Sequence, residues 1–366
     1  MNKTVRYIFI ILGIILTGFI LWYFKSIVIY IISSLILSLM GRPVVQFLGK
    51  IRIGKFKLPK AVRALMALIL LWIAFFTFFR IFIPLIAQEA NSLSQINIQK
   101  LISDLNDPIL RIEHFINDFK LTADTSLESY LTNKMMSILN ISLFSNLFST
   151  LASLLGNIFV AIFAISFITF FFLRDEKLFA ESILLLIPDK YTESFRHALS
   201  SIRRLLMRYF IGIMGEVTGI IILVTIGLTV VGVGFRHGLL IGLLAGILNI
   251  IPYLGPLIGA SLGVFLGMAT HLNLNFYNEL LPLAGYMIIV FIIVQVIDNV
   301  LFQPLIYSSS VQAHPLEIFL VILIAGSIAG IVGMIVAIPS YTILRVFAKE
   351  FFNKFKVIKK LTEHIP

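Results

Sequence analysis

Residues 209–344 form a run of 136 residues with five formally charged side chains: Glu216, Arg236, Glu279, Asp298 and Glu317. A soluble domain carries about a quarter of its residues as Asp, Glu, Lys or Arg. Water cannot be the solvent for such a stretch. Apolar runs longer than ~18 residues fit helices that cross a bilayer. The remainder of the chain agrees: 59% of the 366 residues are hydrophobic, 13% are charged, and 33 are Phe. Only helices and closed barrels satisfy a backbone in lipid. The short alternating segments of a barrel are absent. The expected fold is therefore an all-α polytopic membrane protein.

Eight apolar segments stand out, at 5–24, 26–40, 62–86, 147–173, 209–231, 238–270, 282–302 and 315–344. The first follows Lys3 and Arg6 like a signal peptide, yet no small-residue cleavage site follows it, so it reads as a retained span. Little more than Lys25 separates it from the second, which predicts a tight hairpin there. The second is short for a span and is expected to tilt or to thin the bilayer. Loop charge orients the chain. Residues 41–63 carry seven Lys/Arg and no acid, 174–208 carry seven Lys/Arg, and the tail after Arg345 is Lys-rich. The positive-inside rule puts these stretches and both termini in the cytoplasm. Residues 87–146, with seven acids and four bases, fall outside.

Five regions follow: an N-terminal transmembrane scaffold with its basic loop (1–86), an extracytoplasmic helical domain (87–146), a fourth span with cytoplasmic helices (147–208), a C-terminal transport domain (209–344) and a basic tail (345–366). Within the second region, apolar Leu101, Leu105, Ile109, Ile112 and Phe119 recur at helical spacing. Another apolar helix is expected over 134–148. The net charge of +11 sits in loops, where it suits a lipid surface better than nucleic acid. There is no Cys, hence no disulfide and no thiolate metal site.

The segment 238–270 would be about 50 Å long as one helix, against a hydrocarbon core of ~30 Å. The stretch NIIPYLGP divides it. Pro252 and Pro256 each remove a backbone donor, and Gly255 permits a turn. Broken backbone at membrane depth survives where protein or water satisfies it, so the break is expected to line a cavity. The alternative is a simple loop at the surface. In the cavity reading, Asn249 and Tyr253 offer polar contacts. Gly255, Gly259, Gly263 and Gly267, spaced by four, give the second arm a smooth face for packing or sliding.

The next segment ends QVIDNVLFQPL. Gln295, Asn299 and Gln303 share one helix face, with Asp298 beside them. An acid at membrane depth is expensive and suits an ion or proton path. The alternative places Asp298 at the interface, capping a loop before Pro304. Glu216, among Gly212, Gly215 and Gly219, is a second candidate for cation or proton coupling, or else a structural hydrogen-bonding group. The last segment carries Gly326, Gly330 and Gly333 centrally and Pro339 beyond them, a second interruption. Either all eight segments span, or 238–270 and 315–343 are re-entrant hairpins and the chain crosses six times.

Enzyme signals are weak. GASLG at 259–263 matches G-x-S-x-G around Ser261, but lies in a helix rather than a strand–turn–helix. A serine protease would need a His paired with Ser261, for which His271 or His314 could be imagined; the six His show no metal-ligand spacing, one Asp cannot make an aspartyl protease, and no Walker A sequence is present. Neither cofactor nor resident metal is expected, and no enzyme.

Taken in order, NIIPYLGPLIG (249–259), QVIDN (295–299), QP (303–304), HPL (314–316) and GSIAGIVGMIVAIP (326–339) resemble the AI-2E family of bacterial membrane transporters, the autoinducer-2 exporter or PerM-like permease family. The resemblance extends to FFLRDEKLF (171–179) and covers nearly the whole chain. It implies about eight membrane segments in the bacterial inner membrane and a homo-oligomer, a pentamer. It also implies export of the quorum-sensing signal autoinducer-2 or another small molecule in some members, and exchange of Na⁺ or Li⁺ for protons in others. Members often carry Gly-Gln where this chain has Gly212–Ile213.

The leading expectation is thus an ion-coupled secondary transporter exporting a small polar solute. Asn249, Tyr253, Gln295, Asn299 and Gln303 would contact the solute, and Glu216 and Asp298 the coupling ion. Pro252, Gly255, Pro256, Gly330 and Gly333 would form breaks or hinges. Alternatives are a Na⁺(Li⁺)/H⁺ antiporter, a passive channel and a membrane scaffold whose outside helices bind a partner.

Overall fold

The computed structural model describes residues 12–13, 16, 18–20, 22–53, 56–94, 160–175, 178–185, 187–272, 274–310 and 314–352. The expected helices over 101–119 and 134–148, and nearly all of the expected extracytoplasmic domain, lie outside the described residues. The chain divides into two compact units, one of residues 1–75 and 153–203, the other of 76–152 and 204–366.

The first unit begins with α1 (Lys25–Lys50). Helical bonds from Phe24 N to Ile20 O (2.9 Å) and from Val28 N to Phe24 O (3.1 Å) carry the winding through Lys25. The tight hairpin expected there is not formed, because one cation in an apolar run does not interrupt the i→i−4 ladder. Nor is α1 short. It continues past the apolar run through Pro43 to 26 residues, about 39 Å. A two-residue antiparallel ladder follows, β1 (Arg52–Ile53) with β2 (Phe56–Lys57), pairing Arg52 with Lys57. Next come α2 (Lys60–Ser94), α3 (Val160–Arg174) and α4 (Leu178–Leu184). Ala64, Ala67 and Leu68 on α2 cluster with Leu173 on α3. The indole of Trp72 donates to Ser166 Oγ at 2.9 Å, and Ser34 Oγ donates to the Ile165 carbonyl at 3.1 Å. These bonds satisfy polar groups where lipid offers none. Pro188 then ends the connection, and α5 (Asp189–Val230) runs unbroken for 42 residues. Of the two short cytoplasmic helices that the sequence suggests on either side of Pro188–Asp189, the one before residue 209 and the span after it are one helix.

The second unit contains α2 from residue 76 on and the rest of α5, then α6 (Phe235–Leu248), α7 (Leu254–Ala269), a π-turn (Phe276–Leu280), α8 (Leu281–Ile297), a second π-turn (Asp298–Phe302), α9 (Gln303–Ser310) and α10 (Pro315–Phe352). Glycines set its packing. A Cβ added at Gly212, Gly219 or Gly227 would stand 2.7, 2.5 or 2.5 Å from Ile306, Phe302 or Val290. Rising numbers on α5 meet falling numbers on α8–α9, so the two run antiparallel in close contact. Gly238, Gly242 and Gly246 of α6 press likewise on Thr225, Ile221 and Val217 of α5.

Both interrupted segments reverse. Gly259 of α7 would place a Cβ 3.2 Å from Ala245 Cα, and Gly263 one 2.7 Å from Ile241 Cγ2. Residues 241 and 263 would be about 33 Å apart in one straight helix. The arms, 14 and 16 residues, reach about 21 and 24 Å, less than a hydrocarbon core. Within α10, Ala329 (φ −135°, ψ 20°) and Gly330 (φ 58°, ψ −142°) leave the helix. Beyond them Gly333 backs onto the Ala325 carbonyl, Gly326 faces Met334, and Tyr341 meets Glu317. Gly330 occupies the left-handed region that other residues resist. Of the two topologies left open by the sequence, the structure takes the helical hairpins. Among the described residues, five helices are long and apolar enough to cross a membrane: α1, α2, α5, Phe276–Ile306 and α10, the last by length alone because it folds back. Val160–Arg174, α6 and α7 are shorter apolar helices among the same described residues.

Candidate functional site

The helix registers dictate where the polar groups converge. Gly212 sits against Ile306 and Gly219 against Phe302, so Glu216 on α5 lies level with the second π-turn. Gly246 against Val217 brings the end of α6 to the same level. There Asn249, the C-cap of α6, donates Nδ2 to Glu216 Oε1 at 2.8 Å. Asp298, first residue of the π-turn, lies within hydrogen-bonding reach of the Glu216 carboxyl. Glu216, Asn249 and Asp298 are 3%, 6% and 1% exposed. The remaining oxygens, Glu216 Oε2 and Asp298 Oδ1, have no donor from the protein. Two carboxylates this close inside apolar packing repel unless a proton or cation lies between them.

The π-turn arranges the second half of the site. Gln303 N donates to the Asp298 carbonyl, a bond spanning five residues. In a regular helix positions 298 and 303 would point roughly 140° apart. The wider turn stacks them, and Gln303 Nε2 donates to Asp298 Oδ2 at 2.9 Å. It also donates to Asn299 Oδ1 at 2.9 Å, as Gln295 Nε2 does at 3.1 Å. Pro304, lacking an N–H, cannot continue the α ladder here. The amide face foreseen in the sequence is thus a bonded row that holds Asp298, with Asp298 turned into the protein and Asn299 exposed.

Tyr253 closes the α6–α7 tip. Its backbone (φ 67°, ψ −51°) forms a γ-turn, with Leu254 N donating to the Pro252 carbonyl at 2.8 Å. A side-chain-bearing residue in this conformation stores about 1–3 kcal/mol. Gly255 is required next to it, since a Cβ would enter the Leu248 carbonyl. The Tyr253 ring packs edge-on against Phe319, 5.7 Å between centroids, and its hydroxyl approaches the Pro315 carbonyl at 3.5 Å. The tip of one hairpin therefore touches the start of the other. Pro252 and Pro256 flank this turn, whereas Gly330 and Gly333 belong to the α10 reversal.

Between α7 and α8 lies a cavity of about 700 Å³. Asn249, Tyr253, Gln295, Asp298 and Asn299 lie at one end, while Pro256, Leu257, Ala260, Val264, Ile288, Phe291 and Ile292 form the walls. Gln303 is not part of the lining. Ser261 lies on the wall, but its hydroxyl is bonded to the Leu257 carbonyl at 2.7 Å.

A second polar cluster was not foreseen. Glu89 near the end of α2, 6% exposed, accepts His237 Nδ1 at 3.1 Å. The His237 ring stands 5.7 Å from that of His271, which bonds through Nδ1 to the Gly267 carbonyl. This cluster ties α2 to the open ends of both arms of the α6–α7 hairpin. The signal in the sequence was an acid closing an apolar run, FIPLIAQE being read as the edge of a polar domain instead.

A family model described as AI-2E family transporter matches residues 8–353. Two proteins of Bacillus subtilis (strain 168) share a shorter stretch. "Putative transport protein YueF" is 42% identical over 76 residues, 21% of this chain and 20% of its own length. "Putative transport protein YrrI" is 35% identical over 77 residues, with the same coverage of 21% and 20%. The aligned stretches span about a fifth of each of these relatives. With the family match covering nearly all of a multi-pass helical membrane protein, the chain belongs to the AI-2E transporter family.

Proposed function

We propose that this protein is an ion-coupled secondary transporter in which Glu216 and Asp298 bind the coupling proton or cation. One observation carries the reading: two buried carboxyl groups lie within hydrogen-bonding reach of each other, with one oxygen each left without a protein donor. Interrupted hairpins whose tips lie beside the pair supply what alternating access requires, a cavity bounded by elements that turn back inside the membrane. The solute is placed in the α7–α8 cavity, with Asn249, Tyr253, Gln295 and Asn299 at its polar end. Gln303 acts on Asp298 rather than on the solute. The resemblance points to autoinducer-2 as one solute and to export as the direction. The same proposal includes a homo-oligomer, five subunits by resemblance, in a bacterial cytoplasmic membrane with the basic loops inside. No catalytic step belongs to it.

The carboxyl pair also favours a second reading, a Na⁺(Li⁺)/H⁺ antiporter, because carboxylate oxygens are ligands for hard monovalent cations. Proteoliposomes separate the two. Solute uptake driven by a pH gradient and abolished by Asp298→Asn is the expected result. Sodium-driven proton flux lost in Asp298→Asn, with no solute moved, would leave only the antiporter. Flux that neither saturates nor follows an ion gradient would overturn both in favour of a channel.

A further inference from the structure

The chemistry of the cavity narrows the solute. Part of the hydrogen-bonding capacity at its polar end is already used within the protein. Gln295 Nε2 donates to Asn299 Oδ1, and Asn249 Nδ2 donates to Glu216 Oε1. Ser261 is satisfied by its own helix. Two buried acidic oxygens have no partner: Asp298 Oδ1, on a residue that lines the cavity, and Glu216 Oε2. The walls are aliphatic and aromatic, and two wall residues, Leu257 at 68% and Ile292 at 57% exposure, stand on the lips. An apolar body would gain burial along the walls, and a positive head would neutralise the acidic end.

We propose that the cavity takes a lipophilic organic cation, an alkylammonium-type head against Asp298 with an apolar body between α7 and α8, in competition with the proton shared by Asp298 and Glu216. The proposal rests on the carboxyl pair being the coupling site. The coupling is then direct. A cation entering from the cavity displaces the proton, and a proton returning to the pair expels the cation. The exposed lips on α7 and α8 let such a molecule enter from between the helices, so its concentration in a membrane works in favour of loading.

The test uses the full-length protein in lipid nanodiscs, with empty nanodiscs as blank, and n-octylammonium chloride and 1-octanol as probes in titration calorimetry. The expected result is saturable octylammonium binding at least tenfold tighter than octanol. Heats measured in buffers of different ionisation enthalpy should show a proton released per cation bound. Asp298→Asn should weaken octylammonium at least tenfold and leave octanol unchanged. Ala260→Trp, which fills the wall without touching the carboxyl pair, should abolish binding of both probes while thermal unfolding stays cooperative. Equal affinity for amine and alcohol, binding unaffected by Ala260→Trp, or saturable binding of autoinducer-2 that octylammonium does not displace would each overturn the proposal. If proton-coupled flux in proteoliposomes is lost in Asp298→Asn while octylammonium does not bind, the transporter reading stands and this assignment of the solute falls.

Discussion

Asn249 Nδ2 and Glu216 Oε1 are 2.8 Å apart, joined across 33 residues of chain. The bond ties the tip of the α6–α7 hairpin to the helix behind it and gives a buried carboxylate a donor. Both residues sit on close glycine contacts, Gly246 on one side and Gly212 and Gly219 on the other. The donor is therefore held in place by packing that leaves it little freedom to turn elsewhere.

Removing that donor has a definite expected outcome. Asn249→Ala leaves Glu216 Oε1 without its partner inside apolar packing, which costs about 1–3 kcal/mol. Thermal unfolding in nanodiscs should fall accordingly. Asn249→Asp should be worse, since it adds a third acid to the pair. An unchanged midpoint in both variants would mean that the bond contributes nothing.

The reversal at 249–253 can be tested by chemistry the natural chain lacks. There is no Cys in the sequence. A Cβ at Gly259 lies 3.5 Å from Ala245 Cβ, inside the usual disulfide range of roughly 3.5–4.5 Å. Ala245→Cys with Gly259→Cys should therefore close an internal disulfide under mild oxidant, read by mass spectrometry as the loss of two hydrogens. A segment crossing the membrane in one direction would leave both thiols free.

Tyr253 carries its turn at a backbone angle that glycine adopts without strain. Tyr253→Gly should offset the loss of the Phe319 contact by relieving about 1–3 kcal/mol. Thermal stability is expected to hold or rise while transport falls, because the ring that closes the cavity end is gone. A marked loss of stability would show that the ring contact outweighs the strain.

The Glu89–His237 contact predicts energetic coupling between α2 and the hairpin. In a double-mutant cycle, Glu89→Gln and His237→Gln should show an interaction of about 0.5–3 kcal/mol in unfolding free energy. Additive effects would mean that the two side chains stand side by side without stabilising each other.

Much of this protein is determined by its sequence alone. Five charges in 136 residues leave no solvent for residues 209–344 except lipid and protein, and lipid permits helices. The prolines and glycines of NIIPYLGP mark a break, and Asp298 and Glu216 stand out because acids are expensive in such surroundings. Local pattern fixes each of these. It failed at Lys25, where a single cation was taken for a turn, and at Glu89, where a charge closing an apolar run was assigned to the wrong neighbourhood. Only the tertiary structure decided that the broken segments fold back, since proline and glycine permit a turn without setting its direction. It alone decided that Glu216, Asn249 and Asp298 meet, because their encounter depends on the register in which three helices pack, and register is set by glycines far apart in the chain. The π-turn decided that Gln303 reaches Asp298. A period of 3.6 residues would have pointed the two apart.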